Sequence, residues 1–551
     1  MGTSFIKEFE RTIKENWERT ALTDYKGESY LYKDVARRVE KIHLIFERCG
    51  VEKGDKIALI GKNSSNWAIT FIATVSYGAV IVPILHEFKI DNIHHIINHS
   101  EAKVVFAGDS YIEQFDEKQM PQLNAIINLS DFSVVFDAFN NEIEQLTHKV
   151  NELFSQKYPN GLHAEDVAYE AEENLESLCL LNYTSGTTGH SKGVMLPYRS
   201  LLANYHFAED VLNIERGERV VSLLPLAHAY GAAFEFIYEF LRGVEIVFLT
   251  KNLSPKIILD AFSDVKPRII LLVPLILEKI YKKEIQPKIS TPAMKVLLAL
   301  PGIRNIIYKK IHDKLTSLFG GNFIEVIIGG AALNPEVDEF LKKIGFRYTV
   351  GYGMTECGPI ISYAHFDDTR LGSCGRIVKR LELKINSHDP YNEVGEIMVR
   401  GENVMLGYYK NEEATSAVLD EQGWLHTGDL AVIDREGFIY IKGRCKNMIL
   451  GPSGQNIYPE EIENKLNNLP FVNESLVVES NSRLVALVFP DVDAAKVHGI
   501  DEEELQKHFE KKRHEINRHL PAYCQISAMK LRSEEFEKTP KKSIKRFLYQ
   551  S

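Results

Sequence analysis

Apolar positions along the chain fall into two alternating rhythms. Short β-branched runs stand at 56–60, 103–107, 245–250, 268–273 and 323–328, and stretches with helical spacing separate them. Alternation of this kind predicts α/β layers with largely parallel sheets. The longest uncharged stretch, 63–85, holds Ser64, Asn66, Thr70, Thr74, Gly78 and Pro83, too many polar and turn-forming residues for a bilayer span. It reads instead as a buried helix over 67–77, a turn at Gly78 and a strand over 80–84.

Two shifts in pattern divide the chain. Six acids and no base occupy 165–176, a solvated acidic segment in front of an apolar strand at 178–181. Near 443–454, Gly-rich turns give way to a compact unit. Pro459 opens a helix there with Glu460 and Glu461 in its first turn, and Ile462, Leu466 and Leu469 form its stripe. Strands at 475–478 and 484–489 follow, then a helix carrying Leu505, Phe509, Ile516 and Leu520. The residues after 446 suffice for a small domain.

At 551 residues with 44% hydrophobic content, the chain has the length of two to four domains and the apolar mass for large cores. A net charge of −11 argues against a general nucleic-acid binder, so any polyanion must be held by a local device. Six cysteines lie far apart, without zinc spacing, which fits scattered thiols in a reducing compartment. The first residues lack the apolar core of a signal peptide, and Ile6 stands where a myristoylation motif wants Ser or Thr. A cytoplasmic location is the expectation.

Such a device stands at Tyr183-Thr-Ser-Gly-Thr-Thr-Gly-His-Ser-Lys-Gly-Val194. Glycines let backbone N–H groups approach an anion, Thr and Ser hydroxyls add donors, and Lys192 adds a mobile charge. A Walker loop is excluded, because Gly189 is three residues before Lys192 and Gly193 follows it. A dinucleotide fingerprint fails at Gly351-Tyr-Gly-Met-Thr-Glu356, where Glu356 replaces the third glycine. Gly189-His-Ser-Lys-Gly193 matches the nucleophile elbow of hydrolases, but that turn follows its strand at once, leaving 184–188 unexplained.

Together with Gly351-Tyr-Gly-Met-Thr-Glu356, Gly423-Trp-Leu-His-Thr-Gly-Asp-Leu430 and Gly443-Arg-Cys-Lys446, the loop resembles the adenylate-forming superfamily in order and spacing. The resemblance implies an α/β fold with a large N-terminal lobe of layered subdomains and a β-rich part over 1–444. A small mobile α+β domain over 445–551 follows. It implies an enzyme that joins a carboxylate to the α-phosphate of ATP, releases pyrophosphate and passes the acyl group to the thiol of CoA. Bringing one anion to another requires positive charge and preorganised donors at the α-phosphate.

By the same resemblance Thr184, Ser185, Gly186, Thr187, Thr188, Gly189 and Lys192 hold the β- and γ-phosphates. Gly330 and Ala331 wall the adenine, and Tyr352 stacks on it beside Gly353. Thr355 donates to the α-phosphate, and Glu356 ligates Mg²⁺ together with Thr184. Asp429 and Arg444 take the ribose, and His228 in Pro225-Leu-Ala-His-Ala-Tyr-Gly231 lines the acyl site. Lys446 is the hinge about which the small domain turns, and Gly454 lines the CoA channel.

One departure stands out. The tail reads Lys538-Thr-Pro-Lys-Lys-Ser-Ile-Lys-Arg546, with Ser543 where the superfamily places its adenylation lysine. Lys542 or Lys541 is the expected substitute.

The stretch 268–280 resembles the signature of long-chain fatty acid–CoA ligases, and so does an insertion before Gly329. Leu275, Ile276 and Ile280 are then expected to flank an apolar tunnel. Fatty acid, ATP and CoA are the expected partners, with no nucleic acid. Peripheral membrane contact and oligomeric state are left open. Two alternatives stand beside the ligase: a catalytically weak acyl- and nucleotide-binding protein, and an acyl-AMP ligase that loads a carrier-protein thiol.

Overall fold

The computed structural model describes residues 4–550 apart from 173, 185–190, 251–253, 452–454, 482 and 540–542. The central sheet has eight strands in the order Gly407–Tyr408, Lys192–Pro197, Leu178–Thr184, Val80–Ile84, Lys56–Ile60, Ala102–Ala107, Ala125–Asn128 and Val134–Asp137. From Leu178–Thr184 to Ala125–Asn128 the pairing is parallel, and both edges are antiparallel. Val80–Ile84 is buried throughout, as a strand covered on both faces requires. Helix Ser65–Ser76, nearly all buried, supplies one covering layer.

A second sheet orders Arg219–Ser222, Glu245–Phe248, Thr20–Asp24 and Ser29–Leu31, and a third, all parallel, joins Ile270–Leu272, Val326–Ile328 and Tyr348–Val350. The β-rich part is an antiparallel sheet of Leu381–Asn386, Gly395–Gly401, Leu425–Ile433 and Ile439–Arg444. Antiparallel pairs in the central sheet, in the second sheet and throughout the β-rich part thus depart from a largely parallel expectation. In the central sheet a brief connection forces two of them, Leu178–Thr184 with Lys192–Pro197 and Ala125–Asn128 with Val134–Asp137, because strands so joined can pair only antiparallel.

From Ile457 onward a separate apolar cluster forms, centred on Leu466, Val477, Ala486 and Phe509. Helix Pro459–Leu466 and helix Glu502–Asn517 pack there against Val472–Ser480, Arg483–Pro490 and Ile526–Leu531. The lobes touch through polar contacts. Lys282 Nζ donates to the Asn467 carbonyl at 2.5 Å, and Asn334 bonds Asn468.

Two expectations change. The acidic segment before the central sheet is only partly solvated, because Glu172 accepts from Ser4 Oγ and from the amides of Phe5 and Ile6. It thereby satisfies the open N–H groups of helix Phe5–Glu15, whose positive end favours a carboxylate. Leu275 does not flank a tunnel, since its side chain is 50% exposed, while Ile276 and Ile280 pack onto the core beneath the third sheet. Glu278 of the same helix accepts from the Asn334 amide at 3.0 Å, a structural use of the signature carboxylate. No helix among the described residues is long and apolar enough to cross a membrane.

Candidate active site

The phosphate-loop motif is the connection of an antiparallel hairpin. Thr184 ends one strand and stands opposite Lys192, which begins the next. A hydrolase elbow passes from strand into helix, so this geometry removes that reading. Ser185, Gly186, Thr187, Thr188 and Gly189 lie outside the described residues. The edge strand Gly407–Tyr408 pairs with Lys192–Pro197 and places Tyr408 beside the lysine. Lys192 Nζ lies 4.8 Å from the centre of the Tyr408 ring, a cation–π contact. The Tyr408 hydroxyl in turn donates to Glu356 Oε1 at 2.8 Å. Burial, and then the Glu356 charge, push that phenol far above its ordinary range, so it stays a donor.

Thr355 and Glu356 sit in a short 3-10 turn between strands Tyr352–Gly353 and Ile360–Tyr363. Close packing demands glycine here. A Cβ on Gly353 would stand 2.2 Å from the Pro359 carbonyl oxygen, and one on Gly358, with φ +63°, 2.4 Å from Ser200 Oγ. Asn204 accepts from the Ile360 amide and donates to the Cys357 carbonyl, fixing the turn to helix Tyr198–Val211. Thr355 is buried and Glu356 half-buried.

Asp429 and Arg444 are direct partners across antiparallel strands, with Arg444 Nε 2.9 Å from Asp429 Oδ1. Tyr352 donates its hydroxyl to the other oxygen, Oδ2, at 2.7 Å. Burial raises the Asp429 carboxyl above its ordinary value, while Arg444 and Tyr352 oppose the rise and Glu356 adds to it. The Asp429 charge raises Arg444 correspondingly. Each oxygen of Asp429 holds one partner and keeps a further lone-pair site, which a sugar hydroxyl can use.

Gly330 and Ala331 are exposed after the strand Val326–Ile328, and Gly330 adopts φ +85°. His228 opens the helical turn Ala229–Ala232, its Nδ1 accepting from the Tyr230 amide at 3.2 Å. The proton of the neutral ring is therefore on Nε2. Asn182 donates to the Ala227 carbonyl and holds this segment on the central sheet. Tyr230 joins the His228 segment to the end of the strand Val326–Ile328, because its hydroxyl donates to the Ile327 carbonyl at 3.1 Å and its ring lies 3.0 Å from a Cβ placed on Gly329.

Tyr408 and Tyr230 were not singled out from the sequence. Tyr230 sits inside the Pro225–Gly231 motif beside His228. Nothing local marks Tyr408, whose relevance comes from strand pairing alone.

Behind the His228 turn lies a buried carboxyl held by neutral donors. Glu235 is fully buried in a π turn, Ala233–Ile237, and accepts from the amides of Leu223 and Leu224 and from Ser222 Oγ. Burial pushes it up from 4.5 to about 8. The native state therefore holds one proton more than the unfolded chain between those values, and stability falls as pH rises through that interval. Glu235→Gln is expected to stabilise the protein by roughly 2–3 kcal/mol at pH 7. Urea melts at acid and neutral pH check the sign: the gain shrinks toward pH 4.5. An equal difference at both pH values removes the explanation.

In the small lobe, Lys446 is exposed in the turn Cys445–Asn447, directly after Arg444 and Cys445. The Gly451 amide donates to the Gln455 carbonyl at 2.8 Å, and Gly454 lies outside the described residues. The tail also doubles back. Lys538 pairs with Ile544, and the Thr539 amide donates to the Ser543 carbonyl at 2.8 Å. Three of its five basic residues are engaged on the lobe: Lys538 with Glu474, Lys545 with Glu537, and Arg546 with Glu463. The other two, Lys541 and Lys542, lie outside the described residues.

Among the described residues no three His, Cys, Asp or Glu side chains converge on one point. A lone Glu356 carboxylate fits a Mg²⁺ ion that takes its remaining ligands from phosphate oxygens and water.

Residues 9–409 match the family described as AMP-binding enzyme, and residues 446–550 match the AMP-binding enzyme C-terminal domain. A probable acyl-activating enzyme 16, chloroplastic, from Arabidopsis thaliana is 29% identical over 525 residues, covering 81% of this chain and 71% of that protein. The long-chain-fatty-acid–CoA ligase FadD15 of Mycobacterium tuberculosis is 27% identical over 489 residues, covering 84% and 77%. Among solved structures, the anthranilate CoA ligase AuaEII in complex with anthranoyl-AMP superposes with a TM-score of 0.78 at 20% identity, over 99% of this chain and 96% of that one.

Proposed function

Since the chain belongs to the family of AMP-binding enzymes, we propose that it is an ATP-dependent ligase that activates a long-chain fatty acid and transfers it to CoA. The reading rests on one arrangement. Two clusters, Lys192–Tyr408–Glu356 and Tyr352–Asp429–Arg444, are tied by cation–π, hydrogen-bond and ionic contacts, with Glu356 close enough to influence Asp429. Cations and carboxylates alternate there, as a triphosphate and a ribose require.

In the first step a carboxylate oxygen forms a bond to the α-phosphorus and the bond to the β-phosphate breaks, releasing pyrophosphate. Lys192 neutralises the departing charge and Thr355 donates to the α-phosphate. Asp429 and Arg444 orient the ribose, and Gly330, Ala331 and Tyr352 receive the base. Mg²⁺, when bound at Glu356, spreads negative charge off the phosphate oxygens. His228, with its proton on Nε2, lines the acyl site. In the second step the CoA sulfur bonds to the acyl carbon and AMP leaves, after the small lobe turns about Lys446 and presents the loop of Gly454.

Long-chain specificity draws on the stretch 268–280 and on the ligase relative, not on a tunnel. Ser543 at the expected lysine position favours the weak acyl- and nucleotide-binding protein as a second reading.

Acid-dependent ATP–pyrophosphate exchange over a panel of chain lengths separates the two, and an absence of exchange with every acid sinks the ligase. Acceptor assays with CoA and with a carrier-protein thiol then assign the second step. If Lys542 substitutes for the missing lysine, Lys542→Ala depresses exchange ~10²–10³-fold while leaving thiol transfer from supplied acyl-adenylate nearly intact. Equal loss in both assays removes Lys542 from that role.

A further inference from the structure

Between the signature helix and Gly329 the chain forms a helical hairpin, Pro292–Ala299 and Pro301–Leu318, with Leu300 at the bend. Its far end is anchored: Leu315 is buried, and Tyr308, Ile311 and Leu318 pack against the core beneath the third sheet. The near end projects. Val296 is 66% exposed, Leu300 48% and Ile306 59%, and Leu297 and Ile303 are exposed with them. Over 293–307 the only charged residues are Lys295 and Arg304. Clustered aliphatic exposure of this kind marks an interaction site, unlike single exposed side chains.

The surrounding charge indicates what is met. Residues 283–314 carry seven Lys or Arg against Glu284 and Asp313, in a chain whose net charge is −11. Lys309, Lys310 and Lys314 are exposed immediately behind the apolar tip. An apolar wedge backed by cations matches an anionic bilayer, with aliphatic side chains entering the acyl boundary and ammonium groups at the headgroups. The acidic remainder of the surface is repelled, which orients the molecule tip-first. Protein-binding patches concentrate aromatic residues, and 293–307 contains none.

We propose that this hairpin is a peripheral docking surface for an anionic lipid bilayer. It lies on the bilayer without crossing it, in keeping with the absence of any spanning helix among the described residues. The further assignment of the bilayer as the source of the acid rests on the ligase reading. The tip is joined to helix Pro274–Ile280 through the turns Tyr281–Ile285 and Gln286–Ile289, so a docked molecule presents that side of its large lobe to the membrane.

Sedimentation of the full chain with vesicles tests the surface without any substrate. Vesicles of phosphatidylcholine alone are compared with equal parts phosphatidylcholine and phosphatidylglycerol, at low and high salt. The protein is expected to sediment with the anionic vesicles, less so at high salt. Ile303→Asp combined with Ile306→Asp, and separately Lys309→Glu combined with Lys310→Glu, should each lower the bound fraction about tenfold. These positions are solvent-exposed, so thermal melts and exchange with a short soluble acid should match the unaltered chain.

Failure of the unaltered chain to sediment, or equal binding by all three proteins, overturns the proposal. So does a dimer that the isoleucine changes dissolve without any vesicle binding, which assigns the face to a second copy. Vesicle binding without acid-dependent exchange leaves the surface standing and removes the ligase reading alone.

Discussion

Glu356→Gln is expected to lower acid-dependent ATP–pyrophosphate exchange ~10²–10³-fold, the effect of losing one preorganised electrostatic group at the reacting phosphate. The change keeps the side chain's size and leaves an oxygen for the Tyr408 hydroxyl to donate to, 2.8 Å away in the unaltered protein. Thermal stability should therefore shift little. What disappears is the negative charge, so half-saturation for Mg²⁺ should rise and excess Mg²⁺ should recover part of the rate. Tyr408→Phe separates position from charge: it removes the donor, leaves the carboxylate, and should disturb exchange less than Glu356→Gln. Unchanged exchange and Mg²⁺ dependence in Glu356→Gln would falsify the metal role.

Arg546→Ala is expected to destabilise the small lobe by about 3–5 kcal/mol, because it strands a buried carboxylate. Glu463 accepts from the Val477 amide at 2.7 Å and from Arg546, and both ionic side chains are largely buried. Burial raises Glu463 above its ordinary value even with Arg546 opposing the shift. Removing the arginine raises it further, so the native state then binds a proton that the unfolded chain releases. The loss is consequently smaller at acid pH and grows as pH rises above the unfolded carboxylate range. Glu463→Gln in the same chain should recover much of the loss, since no buried charge is left unpaired. Hydrogen exchange in the strands Val472–Ser480 and Arg483–Pro490 reads the effect locally. If the single and double variants are equally unstable at both pH values, the pair contributes packing only.

This pair also shows why the tail resisted reading. Along the sequence, Lys538 to Arg546 is a basic run suited to solvent. In the folded lobe, Lys538, Lys545 and Arg546 each meet an acid contributed by another segment or by the returning chain. A run of like charge states how many counterions are needed but not where they lie. Glu172 illustrates the same point from the acidic side, since its partners are the amides of a helix more than 160 positions earlier.

Local patterns carried much of the fold. The runs at 56–60 and 80–84 are strands with those same limits, because β-branched residues between turn signals determine conformation over a few positions. The helix opened by Pro459 was legible for the same reason. Residue spacing also excluded the Walker and dinucleotide loops without any coordinates.

Partnership belonged to the tertiary structure. Tyr352 meets Asp429 across 77 positions, and Tyr408 reaches Glu356 only because a two-residue edge strand pairs with the strand of Lys192. Periodicity tells which side of an element is apolar, so the sequence determined many of the elements and, through its motifs, the family. It does not tell which element packs there or in what register, because those depend on sheet order and crossover, set by contacts distant along the chain. That packing decided that Leu275 faces solvent, that Tyr408 joins the site, and that the hairpin of Ile303 and Ile306 is left uncovered.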